Sequence, residues 1–520
     1  ATLCAVRQYC DAERRLDAML GQPTGPVLRL GLEYALYNNV YRDGLPFETS
    51  PMYNGGWVTN LSLMADILQK AGRNVYALPR MRSLYDGMLD QVMLGKYFPS
   101  VGDAGSVFGY PADPHPAAMF SAWTQYKSPA YARWLPAGNE FPTVESLFQP
   151  KVPIAAVKPT PPKSRLLDGY GMGILNNPDD SVAVSLYYGL KGGHGHFDRL
   201  NFEFFALGQP MIPDLGYPEA MNDFVSGIYT WSKNTISHNT VTVDASRQPN
   251  NTHGTVHLFA DSPFARAIDV DGAGTYPQAE MYRRKLLMVD TAPGLSYLVD
   301  FFDVSGGRQH DYSLHGPPGT FNVNGGTWSP AEGGTLAGPD VPLGAFYDAP
   351  QMGVPGYKGG FAGYTGSGFQ HMAKVRRLKG GAWSGVYTHQ NDPKAKLEVR
   401  VLPSPGQEVM LAEARVSPVN HPEILTYIIA RRSGDKPVSR FVSVAEPFRT
   451  QPSITSARLL TLERGTGSAA EIKRVGGWTD VVVHGIGATS FLLGKTRVAT
   501  DAAVVVVTLN AKGIPTRVFF

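Results

Sequence analysis

The spacing of apolar positions changes character about a third of the way along the chain. In residues 4–20, Val6, Cys10, Leu16 and Met19 recur at near-helical spacing, and Gly21 stands where a helix would stop. Residues 57–71 repeat the pattern with Val58, Leu61, Met64, Ile67 and Leu68, followed by Gly72. Residues 80–95 repeat it again with Met81, Leu84, Met88, Leu89 and Val92. Loops rich in Gly, Pro and Tyr separate these segments. Such an arrangement predicts helices whose connecting loops build a site at one end, or an ordinary helical domain with nothing there.

Residues 149–164 (QPKVPIAAVKPTPPKS) are dense in proline and predict an extended linker. Beyond it the pattern becomes that of strands. SVAVSLYYGL (181–190), LNFEFFAL (200–207), NTVTVD (239–244) and residues 285–304 carry β-branched and aromatic runs. LEVRVL, EILTYIIA, DVVVHGIG and AAVVVVTLN continue the theme. Gly306-Gly307, Gly325-Gly326 and Gly359-Gly360 punctuate the region as turn signals. Helices first and strands afterwards predict an α+β multidomain chain. The expected divisions are a helical part over 1–148, a linker over 149–164, a central β domain over 165–395 and a C-terminal β domain over 396–520.

Composition narrows the function classes. With 47 Lys plus Arg against 44 Asp plus Glu, the chain lacks the charge of a nucleic-acid coat or a membrane-surface protein. A local basic cleft for an anionic ligand remains compatible with that balance. No apolar run approaches the roughly 18 residues of a membrane helix. Cys4 and Cys10 on one helix would lie about 9 Å apart, too far for a disulfide. The chain opens on Ala1 with no signal-peptide pattern, as a mature or trimmed form would.

Several familiar sites are excluded. GATSFLLGKT at 487–496 looks like a phosphate loop, but the spacing puts Thr489 where its first glycine belongs. GYGMG at 169–173 is not a dinucleotide fingerprint. HExxH and GxSxG are absent.

Histidine is sparse, 12 in 520 residues, yet several cluster. KGGHGHFDRLNFEFFALGQPMIPDLGYP holds His194, His196, Asp198 and Asp214, and ISHNTVTVD supplies His238. On an extended strand, His-x-His would point both imidazoles to one side. Imidazoles with a carboxylate suit Zn²⁺. A hydrogen-bonded core histidine is the alternative for each.

These segments, with YLVDFFDVSGGRQHDYSLHG and more weakly DGLPFETSPMYN at 43–54, resemble the heparinase II/III-like polysaccharide lyases, which include heparin, heparan, alginate and oligoalginate lyases. The resemblance runs from about residue 25 to about residue 450. It implies the end of an (α/α) toroid followed by antiparallel β-sandwich domains. It implies a largely structural zinc on His196, Asp214 and His238, with His194 facing the substrate instead, which needs irregular backbone at Gly195. Tyr53 matches the family's catalytic tyrosine and Glu48 an acidic neighbour. Asn39, Arg42, Asn54 and Trp57 flank that segment as candidate substrate contacts, and Tyr229 and Trp231 fall where the family has a substrate loop.

The implied reaction is β-elimination at a uronic acid in an anionic polysaccharide. A base takes the proton beside the carboxylate, and an acid protonates the departing glycosidic oxygen. Tyr53 suits the acid role, and as a base it would need positive charge nearby. The family's histidine base precedes its catalytic tyrosine, whereas none of the 52 residues before Tyr53 is His. His115, the single histidine before His194, does not look like a replacement. The base is therefore expected upstream of Ala1, in a removed or separate segment that completes the toroid. A secreted or periplasmic protein, alone or as a homo-oligomer, follows from the resemblance. The rival readings are a non-catalytic glycan-binding protein on a lyase scaffold and a glycoside hydrolase, for which Glu48 lacks a partner carboxylate.

Overall fold

A computed structural model describes residues 12–21, 31–135, 162–218, 227–417, 423–493 and 496–520. Cys4, Cys10, the start of the first expected helix and most of the proline-rich stretch lie outside these residues. The helices are α1 (Ala12–Leu20), α2 (Leu32–Asn38), α3 (Pro51–Lys70), α4 (Pro79–Asp90), α5 (Pro116–Tyr126) and α6 (Pro129–Ala132). Helix α3 starts six residues before the periodicity suggested. Pro51 occupies its first turn, where a fixed φ and a missing N–H cost nothing. Tyr53 is therefore on a helix, not in a loop. Pro51, Asn54, Gly55, Val58, Leu61, Ser62, Ala65 and Leu68 form the buried stripe of this helix. Helix α4 stops at Asp90, short of residue 95, as Leu94 and Gly95 adopt left-handed backbone (φ 53° and 58°).

The rest of the described chain is mostly antiparallel sheet. Five strands between Arg165 and Ile212 form a simple meander. A twelve-stranded sheet follows, built from strands between Val241 and Phe448. Six strands between Ile454 and Phe519 make the last sheet. The expected boundary at 395/396 is therefore corrected: strands Ala373–His389 and Asp392–Val401 pair as a hairpin across it. The change of sheet comes at Ile454. The excluded phosphate loop sits on strand Thr479–Leu493 and its hairpin partner Thr496–Thr500.

Period-2 alternation explains the layering. In strand Val182–Tyr187, Val182, Val184 and Leu186 face the core shared with the large sheet. Ala183 and Tyr187 face the core shared with the helices, beside Val58, Leu61, Met88 and Phe120. A strand covered on both faces reads as a continuous apolar run, as this one does. The large sheet repeats the device: Leu286 and Met288 face the meander, while Leu287 and Val289 meet Ile472, Val482 and Val506 of the last sheet. The order of layers is helices, five-stranded sheet, large sheet, last sheet.

Candidate active site and metal centre

The segment 188–201 arches from strand Val182–Tyr187 to strand Phe202–Ala206 at one end of the meander. It contains no strand, so the same-side expectation for His194 and His196 fails. A turn closed by Gly195 N–H donating to the Gly192 carbonyl (3.2 Å) separates the two side chains. The arch is pressed onto the helical part. Gly192 N–H donates to Thr49 Oγ1 at 2.6 Å, and a Cβ on Gly192 would lie 2.1 Å from the Phe47 carbonyl oxygen. Gly102 approaches from the other side with φ 64°, and a Cβ there would lie 2.6 Å from the His194 carbonyl oxygen. His194 N–H donates to the Glu48 carbonyl (3.2 Å), and Asp103 N–H donates to the His194 carbonyl (2.9 Å).

Asp103 organises the centre. Its Oδ2 lies 3.1 Å from His194 Nδ1, and its Oδ1 lies 2.8 Å from His196 Nε2. Lys233 Nζ donates to the same carboxylate at 3.0 Å. Burial alone would raise this carboxyl. The hydrogen bond from His196 and the charge of Lys233 outweigh it and hold Asp103 below the usual carboxylate range. The residue was not singled out from the sequence. SVGDAG offers an ordinary acid, and only the flanking Gly102 and Gly105 mark a special turn.

Tyr53 and His194 are brought together as expected. Their rings stack at 3.3 Å with an interplanar angle of 8°. The Tyr53 hydroxyl pairs with the Tyr217 hydroxyl at 3.1 Å. That bond, then burial, then the charges of Tyr217, Asp103 and Glu48 push the Tyr53 phenol well above its ordinary value. Glu48 Oε2 lies 3.3 Å from His194 Nε2, and Trp57 Nε1–H donates to Glu48 Oε1 at 3.2 Å. The cluster therefore has one histidine between two carboxylates, with a protonated phenol on its face.

His196, Asp214 and His238 form a second, fully enclosed cluster beside it. Their ligand atoms lie within 4.8 Å of one another, and the residues are at most 1% exposed. His238 Nδ1 lies 3.0 Å from Asp214 Oδ1, and Asn201 donates to Asp214 Oδ2. Burial opposes charge on His238, but the adjacent Asp214 overrides it and raises its pKa. An ionised Asp103 only accepts, so His196 carries its hydrogen on Nε2 and keeps a bare Nδ1. His196 Nδ1 and His238 Nε2 are buried with no hydrogen-bond partner, as is Asp198 Oδ2 nearby. Orphaned nitrogens beside a carboxylate fit a divalent ion with a taste for N and O donors. Asp103 would then be the carboxylate behind a metal-binding histidine.

The remaining candidates separate. Arg42 is exposed and Asn39 half-buried at the end of α2. Asn54 is fully buried near the Tyr170 hydroxyl, because position 54 belongs to the inward stripe of α3; this removes it from the expected substrate contacts. Trp231 is core as well: it is fully buried and its Nε1–H donates to the Arg415 carbonyl at 2.8 Å. Tyr229 lies one residue into a π-helical turn, Ile228–Ser232, and is half-buried. His115 packs against α3 at Gly55, where a Cβ would lie 2.1 Å from its Nε2.

Residues 159–309 match the family described as Heparinase II/III-like, C-terminal. An alginate lyase of Stenotrophomonas maltophilia is 32% identical over 166 residues, which is 28% of this chain and 22% of that protein. An exo-oligoalginate lyase of Saccharophagus degradans is 27% identical over 138 residues, 24% of this chain and 18% of that protein. The chain thus matches about a fifth of the length of these relatives. In fold it is similar to heparinase III, with TM-score 0.63 and 13% identity over 93% of this chain and 66% of that one. It is also similar to the heparan sulfate lyase HepC of Pedobacter heparinus, with TM-score 0.60 and 13% identity over 92% of this chain and 64% of that one. The family likeness read from the sequence motifs is present in sequence and in fold.

Proposed function

Starting from this likeness to heparinase II/III-like polysaccharide lyases, we propose that the chain cleaves an anionic, uronate-containing polysaccharide by β-elimination. The observation that carries the reading is the stack of Tyr53 on His194, with Glu48 and Asp103 on the imidazole. Elimination breaks the bond between the ring carbon and the glycosidic oxygen once a base, a role given to none of these side chains, has taken the proton beside the carboxylate. The departing oxygen needs a proton, and a phenol held protonated supplies it. The negative neighbours of Tyr53 favour this acid half of the reaction over the base half. In this reading His194, held by Asp103, would meet the uronate carboxylate and stabilise the charge that builds there.

His196, Asp214 and His238 would hold zinc, which would fix the end of the arch carrying His194. Glu48, tethered by Trp57, orients His194 from the other nitrogen. Arg42, Asn39 and Tyr229 remain proposed contacts to more distant sugars. The helices would form part of an (α/α) toroid, and the setting would be secreted or periplasmic. Among the described residues no helix is long and apolar enough to cross a membrane.

The test is incubation with alginate and heparan sulfate while following ultraviolet absorbance of an unsaturated uronate. Growth of that absorbance in wild type and its absence in Tyr53→Phe supports the reading. Binding without product, equal in both proteins, would instead indicate a glycan-binding protein on the same scaffold.

A further inference from the structure

Next to the proposed catalytic cluster lies a group of cations that the reaction as drawn does not use. Phe197 is three residues beyond His194 and half-buried. Arg247 stacks its guanidinium 4.0 Å from the Phe197 ring centroid, and Lys191 Nζ lies 5.1 Å from the same centroid. Phe197 N–H donates to the carbonyl of Lys233, whose ammonium already serves Asp103. Two positive side chains therefore lie over one ring, and a third belongs to the residue that accepts the Phe197 N–H.

Only Lys233 is neutralised. Among the described residues, neither Lys191 nor Arg247 has a carboxylate within ion-pair distance. Arg247 is 9% exposed, and its Nε and Nη1 are buried without a hydrogen-bond partner. The other deeply buried arginines have partners. Arg199 donates to the carbonyls of Gly189 and Asn250 and to Asn251 Oδ1. Arg266 pairs with Asp261 and Asp290, Arg284 with Asp300, and Arg474 with Asp480. Burial, followed by the charges of Lys233 and Arg247, lowers the pKa of Lys191, so the cations repel one another as they stand. Leaving such a group unneutralised costs folding energy, and an incoming anion removes that cost.

The two free cations are also held in place. Lys191 N–H donates to Asn251 Oδ1 at 2.6 Å, and Asn251 Nδ2 returns a bond to the Lys191 carbonyl at 2.9 Å. Arg247 sits on the same 244–251 segment, with its own N–H on the carbonyls of Thr365 and Gly366. Preorganised donors lose little on binding.

We propose that Lys191 and Arg247, flanking Phe197, form a subsite for the anionic group of a second sugar, next to the one whose carboxylate meets His194. The ring holds the two cations near one another, and they hold a carboxylate or a sulfate. The proposal rests on the lyase reading for the position of the first sugar. It commits the substrate to negative charge on adjacent residues of the polymer.

The test uses the full chain carrying Tyr53→Phe, titrated calorimetrically with a mannuronate trisaccharide, a sulfated heparan-type oligosaccharide and neutral cellotriose. Arg247→Gln and Lys191→Gln are each added, and thermal melts confirm folding. The expected result is about a tenfold or larger rise in Kd for at least one anionic oligosaccharide in each variant, with cellotriose far weaker throughout. Loss confined to the uronate trisaccharide assigns a carboxylate, and loss confined to the sulfated one assigns a sulfate. Unchanged Kd in both folded variants, binding of cellotriose equal to the anions, or no binding of either anion overturns the subsite. The lyase reading is scored separately with active chain. Product formation with variant KM equal to wild type sinks the subsite alone. Charge-dependent binding without product sinks the lyase reading alone.

Discussion

Tyr53 and Asp103 carry opposite shifts for related reasons. Tyr53 is surrounded by acceptors and negative charge, so its neutral form is favoured. Its raised pKa means the proton is kept through the neutral range and lost only above the ordinary phenol value of about 10. Tyr53→Phe should lower kcat by about 10²–10⁴-fold. The difference in absorbance at 295 nm between wild type and variant should show no phenolate below about pH 10. A phenolate signal near neutrality would point to Tyr53 as a base. Asp103 is depressed by His196 and Lys233, so its stabilisation is fully present above the unfolded carboxyl value of about 3.9 and falls as pH drops through the folded one. Asp103→Asn should cost about 1–3 kcal/mol at neutral pH, with the deficit against wild type shrinking below about pH 4 in acid melts. A deficit that stays constant with pH would exclude the charge as its source. The cluster of histidines and acids was legible from rare residue types in a short span, but the choice of His196, Asp214 and His238 over His194 came from the family resemblance of His-Gly-His, PDLGY and SHN. Asp103 was not legible, because one acid among 44 Asp and Glu has no local signature. Its importance comes from a fold that carries it to two histidines more than ninety positions away.

At the level of elements, the site is a seam between the 188–201 arch, the 47–49 turn and the 99–105 turn. Their backbones touch too closely for side chains. Gly192→Ala would drive a methyl into the Phe47 carbonyl and should cost about 1–3 kcal/mol. The lyase assay should fall with it, whereas Gly360→Ala, whose Cβ meets nothing within 4 Å and whose φ is −74°, should cost little. Equal loss in both would show that the seam is not the cause. The proposed metal site belongs to this scale too, since its three candidate ligands come from the arch and two later segments. His196→Ala and His238→Ala should each lose stoichiometric zinc by elemental analysis; full zinc in both would remove the assignment. Helix α3 shows what periodicity conceals. Pro51 and Met52 precede the first clear apolar repeat, so the turn carrying Tyr53 read as loop until the proline was seen in place.

Across the whole molecule, the progression from helices to sheets was legible because the period of the apolar pattern changes with it. The grouping of strands into sheets was not. Strand Ala373–His389 joins two halves of one large sheet through partners on both sides, and no local pattern encodes that pairing. The last sheet is bound through charge as well as apolar contact. Lys285 meets Asp269 at 3.1 Å and touches His484, which in turn pairs with Asp303, all at most 2% exposed. Asp303→Ala leaves the buried His484 Nε2 without its carboxylate hydrogen-bond partner and should cost about 1–3 kcal/mol in urea denaturation. A loss below about 1 kcal/mol would show the network to be dispensable. The five-stranded meander has a further consequence. Leu167, Tyr170, Met172, Ile174, Ala183, Tyr187 and Phe205 share one apolar core with α2 through α5. The two parts are thus joined by packing as well as by peptide bonds. The protein should behave as a natural split pair. Pieces divided between Leu135 and Arg165, expressed separately, should find each other, copurify and rebuild the seam around Asp103 without the covalent connection.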